Sequence, residues 1–165
     1  MKTQPKHQLH WLWLSALVLI LDYLSKHWIS HTLAGASGMQ VASCLNFILT
    51  HNTGAAFSFL GGAGGWQRWF LIFVSLGVSI YLIFQLYKGG IHRGIALAMA
   101  LIIGGALGNL YDRLVLGSVI DFIDFYLGHW HFATFNLADS AISLGAVLWI
   151  IISYRFDKKS SRQRW

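Results

Sequence analysis

The chain has 165 residues, 56% of them apolar and only 11% charged, with a formal net charge of +6 and no glutamate. Soluble domains carry about 25% charged residues, so this composition excludes an ordinary soluble domain and points to a single-domain integral membrane protein. The lone cysteine, Cys44, excludes an internal disulfide and a cysteine-based metal cage and reads as a small apolar filler.

A membrane-spanning helix needs roughly 20 predominantly apolar residues. Four stretches qualify, at 11–29, 68–87, 94–112 and 136–154. The first follows Lys2 and Lys6, and "AGA" at 34–36 imitates a signal-peptide cleavage site. Its apolar run exceeds the usual ~7–15-residue signal core, however, and Asp22 and Lys26 interrupt it, so it reads as a retained span. Those two residues, in "DYLSK", stand four apart with the acid first, the favourable order for an ion pair on one helix face. Structural pairing is the first reading, and contact with a lipid or substrate headgroup the second.

The segment 30–67 follows. Its "VASCLNFILTH" (41–51) is β-branched, apolar and aromatic enough for a strand or two, and "GGAGG" (61–65) reads as a flexible turn. Asn52, in "NTGAAFSF", precedes Gly54 and reads as a turn residue, with an amide offered to an extended peptide as the alternative. Span three carries Ala96, Ala100, Gly104 and Gly108 at four-residue spacing, a ribbon that lets another helix approach closely in lipid. Then "GNLYDRLVLGSVIDFIDF" (108–125) gathers Asp112, Asp121 and Asp124 around one cation, Arg113. Span four opens with "FNLADSAISLG". It places Asp139 about one turn inside, three residues after Asn136 and on the same face.

Nine of the twelve Lys and Arg residues lie before span one, between spans two and three, or after span four; Lys26, Arg68 and Arg113 are the exceptions. By the positive-inside rule both termini are cytoplasmic, and segments 30–67 and 113–135 are extracytoplasmic. Trp11, Trp13, Trp28, Trp66, Trp69 and Trp149 fall at or near span ends, as interfacial aromatics do. The positive charge is therefore topological, and no nucleic-acid partner is expected. Every acid except Asp157 falls toward the outer face.

Familiar catalytic patterns are absent. There is no H-E-x-x-H, no G-x-S-x-G, no P-loop and no dinucleotide glycine pattern. His129 and His131 lack a third ligand, so neither a metal nor a cofactor is expected. Carboxylates remain. An acid near hydrocarbon is costly and marks function. Two that share one proton can serve as general base on a water and general acid toward a carbonyl oxygen. Asp139 offers one, and the residues alone leave Asp112, Asp121 and Asp124 open as the second. A proton-coupled transporter or channel subunit would need ionisable groups through the membrane, and spans two, three and four have none in their cytoplasmic halves. A scaffold leaves the acids unexplained.

"DYLSK", "HNTGAAFSF", "GGALGNLYDR", "GSVIDFIDF" and "FNLADSAISLG", in this order and spacing, resemble the motifs of the lipoprotein signal peptidase (signal peptidase II) family across nearly the whole chain. The resemblance implies an α-helical integral membrane protein of four transmembrane helices, with a small extracytoplasmic β-cradle, to which 41–60 is assigned, and a short lid-like helix. It implies an intramembrane aspartic endopeptidase of the bacterial inner membrane. Such an enzyme removes the signal peptide from diacylglyceryl prolipoproteins just before the lipidated cysteine. The matched dyad is Asp121 and Asp139. Asn52, Gly54, Asn109, Arg113, Asn136 and Ala138 match substrate-binding positions, and Asp22 with Lys26 a supporting polar pair. Asp112 is then expected to partner Arg113 or interfacial water, and Asp124, one turn beyond Asp121 if the segment is helical, to be a solvated bystander. Implied partners are the lipidated precursors, membrane lipids and the inhibitor globomycin, a cyclic peptide lodging between the aspartates. The chain is expected to act as a monomer without a cofactor.

Overall fold

Each long apolar run becomes a helix because lipid offers the backbone no hydrogen-bond partner and the helix satisfies its own groups. A computed structural model describes residues 7–54 and 64–162, with side chains to Arg155. Helices α1 (Leu12–Thr32), α2 (Trp66–Lys88), α3 (Arg93–Val115) and α4 (Leu137–Arg162) carry the four expected spans, and α4 continues past its apolar part into the basic tail. All four are long and apolar enough to cross a membrane. Helix α3 is central: 67% of its span is buried, against 28%, 22% and 17% for α1, α2 and α4. The outer three expose large apolar side chains such as Ile20, Phe73 and Ile150, the surface a spanning helix presents to hydrocarbon.

Gly89 and Gly90, at φ 68° and 73°, turn the chain between α2 and α3. That turn, the start of α1 and the C-terminal part of α4 lie at one end of the bundle. At the other end is a four-stranded antiparallel sheet in the order β1 (Met39–Ala42), β2 (Leu45–Asn52), β3 (Val119–Leu127), β4 (Trp130–His131). It covers the tip of α1 by packing Phe122, Phe47, Leu49 and Ile123 on Ile29 and Leu33.

The small residues of α3 work on two faces. Ser15 on α1 donates its hydroxyl to the Ala100 carbonyl at 2.8 Å, and a Cβ at Gly104 would stand 2.7 Å from the Val18 Cβ. This is the approach the four-residue ribbon predicts. The neighbouring face, about 100° around the helix, depends on Gly105, outside that ribbon, where a Cβ would stand 2.4 Å from the Ala138 carbonyl of α4. Gly105→Ala is expected to destabilise the bundle by about 1–3 kcal/mol through overpacking. Gly77→Ala, on α2 with nothing within 4 Å, should be neutral or slightly stabilising. Thermal unfolding in detergent reads both.

Residues 119–127 form a strand, which corrects the helical expectation for Asp124. The run Val-Ile-Asp-Phe-Ile-Asp-Phe-Tyr is β-branched and aromatic, and α3 ends first at Gly117, whose φ of 82° suits a helix stop. Arg68 closes that end by donating Nε to the Arg113 carbonyl at 2.8 Å and Nη2 to the Leu114 carbonyl at 3.1 Å. A cation at a helix C-terminus is favourable, which explains one basic residue that breaks the charge rule. The expected strand content of 41–51 is present as β1 and β2. The remainder of 41–60 beyond Gly54 and the start of "GGAGG" lie outside the described residues. The lid-like helix has no counterpart among the described residues of the two connecting segments.

Candidate active site

The first turn of α4 is built by a reciprocal cap. Asn136 Oδ1 accepts the Asp139 N–H at 2.8 Å, and Asp139 Oδ2 faces the Asn136 N–H at 3.4 Å, a capping box that fixes the Asp139 side chain. The nitrogen of the same side-chain amide reaches β3: Asn136 Nδ2 donates to Asp121 Oδ1 at 2.7 Å. One wholly buried asparagine thus touches both acids. Asn52, at the end of β2, donates Nδ2 to Asp121 Oδ2 at 3.0 Å. Asn109, on α3, donates Nδ2 to Asp139 Oδ1 at 2.7 Å. Asp121 and Asp139 therefore stand together, each held by neutral amides rather than by a cation.

Asp121 is 2% exposed. Its burial is the main force raising its pKa to about 6; the Asp139 charge adds to this, and bonds from Asn52 and Asn136 and the Lys26 charge oppose it. Asp139 is half-buried. Both line a cleft of ≈ 520 Å³ bounded by Val74 and Val78 of α2, Ala106 of α3, Phe132–Phe135 and Ile142 of α4. The cleft is largely apolar, with the carboxylates at its polar end. Such a site can hold a greasy substrate while placing a proton acceptor beside a water and a proton donor beside the bond it attacks.

The expected binding residues divide. Asn52, Asn109 and Arg113 line the cleft. Arg113 donates Nη2 to the Gly54 carbonyl at 2.7 Å and Nη1 to the Asn109 carbonyl at 3.3 Å. Its buried Nε–H has no partner among the described residues. Gly54, Asn136 and Ala138 stand behind the lining. Gly54 donates its N–H to Asn52 Oδ1 at 2.9 Å, and Ala138 is sealed between α3 and α1.

Asp22 and Lys26 form the expected pair at 2.7 Å, but both are no more than 2% exposed and out of reach of any headgroup. Asp112 joins them, 2.9 Å from Lys26 Nζ, and not Arg113 as expected. Adjacent helical residues point about 100° apart, so Asp112 faces α1 while Arg113 faces the cleft. Asp124 corrects a second expectation. It lies on the opposite face of β3 from Asp121 and is buried rather than solvated. Burial opposes its ionisation, but bonds from His131 Nδ1 at 2.8 Å and Asn46 Nδ2 at 3.0 Å outweigh that and hold its carboxyl below the usual range. Thr50 and Thr134, unmarked in the sequence, bond to each other at 3.1 Å beside the Asp121 backbone, where the Thr50 hydroxyl donates to the carbonyl at 2.9 Å. Among the described residues, no group of three or more His, Cys, Asp or Glu side chains is placed to hold a metal.

Residues 14–155 match the model of the signal peptidase (SPase) II family. The chain is 52% identical over 141 residues to a lipoprotein signal peptidase of Yersinia pseudotuberculosis, covering 85% of this chain and 83% of that one. It is 51% identical over 154 residues to one of Citrobacter koseri, covering 93% and 94%. A bacterial membrane enzyme solved at 2.3 Å superposes with a TM-score of 0.79 at 29% identity, covering 92% of this chain and 90% of that one. Another, solved at 1.9 Å, superposes with a TM-score of 0.74 at 31% identity, covering 88% and 92%.

Proposed function

The chain belongs to the signal peptidase II family, and from that premise we propose that it removes the signal peptide from diacylglyceryl prolipoproteins by aspartate-catalysed hydrolysis just before the lipidated cysteine. The observation that carries this reading is the pairing of Asp121 and Asp139, linked through Asn136 at the polar end of an apolar cleft. The chain would lie in the bacterial inner membrane with the sheet end outward, since Lys88 and Arg93 at the turn between α2 and α3, and Arg155 late in α4, stand toward the opposite end. Acyl chains would enter the apolar part of the cleft from the bilayer.

In the reaction, Asp139 takes a proton from water as its oxygen attacks the scissile carbonyl, and Asp121 donates its proton to the carbonyl oxygen. Collapse returns that proton to Asp121. The proton on Asp139 passes to the leaving amine of the lipidated cysteine, and the signal peptide departs as a carboxylic acid. Burial draws the shared proton toward Asp121, although titration belongs to the coupled pair. Purified protein should cleave a diacylglyceryl precursor and process the unlipidated form poorly; equal kcat/KM on the two would contradict the reading.

The proton on Asp121 also sets a pH dependence. Rising pH strips it, so kcat/KM should decline through a pKa of about 6. Asn52→Leu removes a bond that favours the ionised form, so it should move that limb to higher pH. A pH–rate series on both proteins checks the direction.

A further inference from the structure

We infer that Asp22, Lys26 and Asp112 form a positioning clamp that sets how far Asp121 stands from Asp139. Asp112 Oδ2 accepts the backbone N–H of Ile120 at 3.2 Å, the residue immediately before Asp121 on β3. Asp22 Oδ1 accepts the backbone N–H of Ala138 at 2.9 Å, the residue immediately before Asp139 on α4. Lys26 Nζ stands between the two carboxylates, 2.7 Å from Asp22 and 2.9 Å from Asp112. It also donates at 3.2 Å to Asn109 Oδ1, whose Nδ2 holds the Asp139 carboxylate. Each half of the pair thus hangs from its own buried carboxylate, and one ammonium ties the two carboxylates together.

Stability alone does not explain this cluster. Two carboxylates and one ammonium leave a net charge of −1, and the three residues are 1%, 2% and 4% exposed. Burying ions costs more than their attraction usually returns, and apolar side chains of the same size often do as well or better. Directional, charge-assisted bonds to two chosen backbone N–H groups are what apolar packing cannot supply. None of the three residues lines the cleft, so they act through Ile120, Ala138 and Asn109 and not on substrate. The two anchored elements come from distant parts of the chain, and the clamp spans them from α1 and α3.

This inference rests on the dyad proposed above, and two separate readouts keep the two apart. In turnover of the diacylglyceryl precursor, Asp112→Leu should lower kcat about 100-fold while KM stays within about twofold, the signature of misplaced reacting groups. Asp112→Asn keeps an oxygen for the Ile120 N–H and should recover part of the loss. In backbone amide exchange, which involves no reaction, Asp112→Leu should unprotect Ile120 and spare Ala138, and Asp22→Leu should do the reverse. If Asp112→Leu does not fold, Asp112→Asn carries the kinetic test: intermediate kcat with unchanged KM supports the clamp, and full activity overturns it. A rise in KM with unchanged kcat would make Asp112 a substrate contact and overturn it as well. Unaltered exchange at Ile120 would also overturn it, whatever the activity. Failure of the wild-type protein to cleave the precursor would overturn the dyad reading itself.

Discussion

Asp121→Asn and Asp139→Asn should each reduce cleavage of a lipidated precursor by about 10⁴-fold or more while the protein still folds and inserts. General acid and general base catalysis each contribute typically about 10²–10⁴-fold. Neither half of a proton-sharing pair works alone, so the double variant should be hardly worse than either single one. Asparagine preserves shape at both positions. At 139 its oxygen can still accept from Asn109 Nδ2. At 121 the new amide nitrogen meets a donor, either Asn52 or Asn136. That lost bond is partly offset because no charge is buried. Asp124→Asn is the control. It lies on the far face of β3 and keeps an oxygen for His131, so kcat/KM should stay close to wild type. Equal losses at 121 and 124 would mean that the wrong acid of β3 has been chosen.

Lys26→Met should be the most destabilising single change in the bundle. It leaves Asp22 and Asp112 buried without a counter-ion, and breaking a buried pair in this way costs about 3–5 kcal/mol. Adding Asp22→Asn and Asp112→Asn should restore most of that stability, because the penalty belongs to uncompensated charge and not to lost volume. The midpoint of thermal unfolding in detergent reads both steps. If Lys26→Met alone were as stable as wild type, the cluster would not be the buried ionic core that its distances describe.

Much of this was legible in the sequence. Spans of twenty apolar residues give four helices because lipid permits little else. The β-rich character of 41–51 predicted strands, and β1 and β2 occupy it. The Asp22–Lys26 pair followed from helical spacing alone. What could not be read was tertiary. Asp112 has Arg113 beside it in sequence, yet its cation is Lys26, 86 positions away, brought close by small residues on α3 that admit α1. Gly105 escaped notice because the four-residue ribbon marks only one face of α3. The run 119–127 was open to either helix or strand, and the pairing of β3 with β2, Thr50 opposite Asp121, decided it. Ala138 was matched to a substrate-binding position by the resemblance alone, and the structure turns it inward against Gly105.

The most direct test is the mass of the products formed when purified protein meets a synthetic diacylglyceryl precursor, compared between wild type and Asp121→Asn. The expected result is one cut immediately before the lipidated cysteine, persisting in excess chelator and absent from the variant. A cut elsewhere, or the same cut at undiminished rate in Asp121→Asn, would contradict hydrolysis by the Asp121–Asp139 pair.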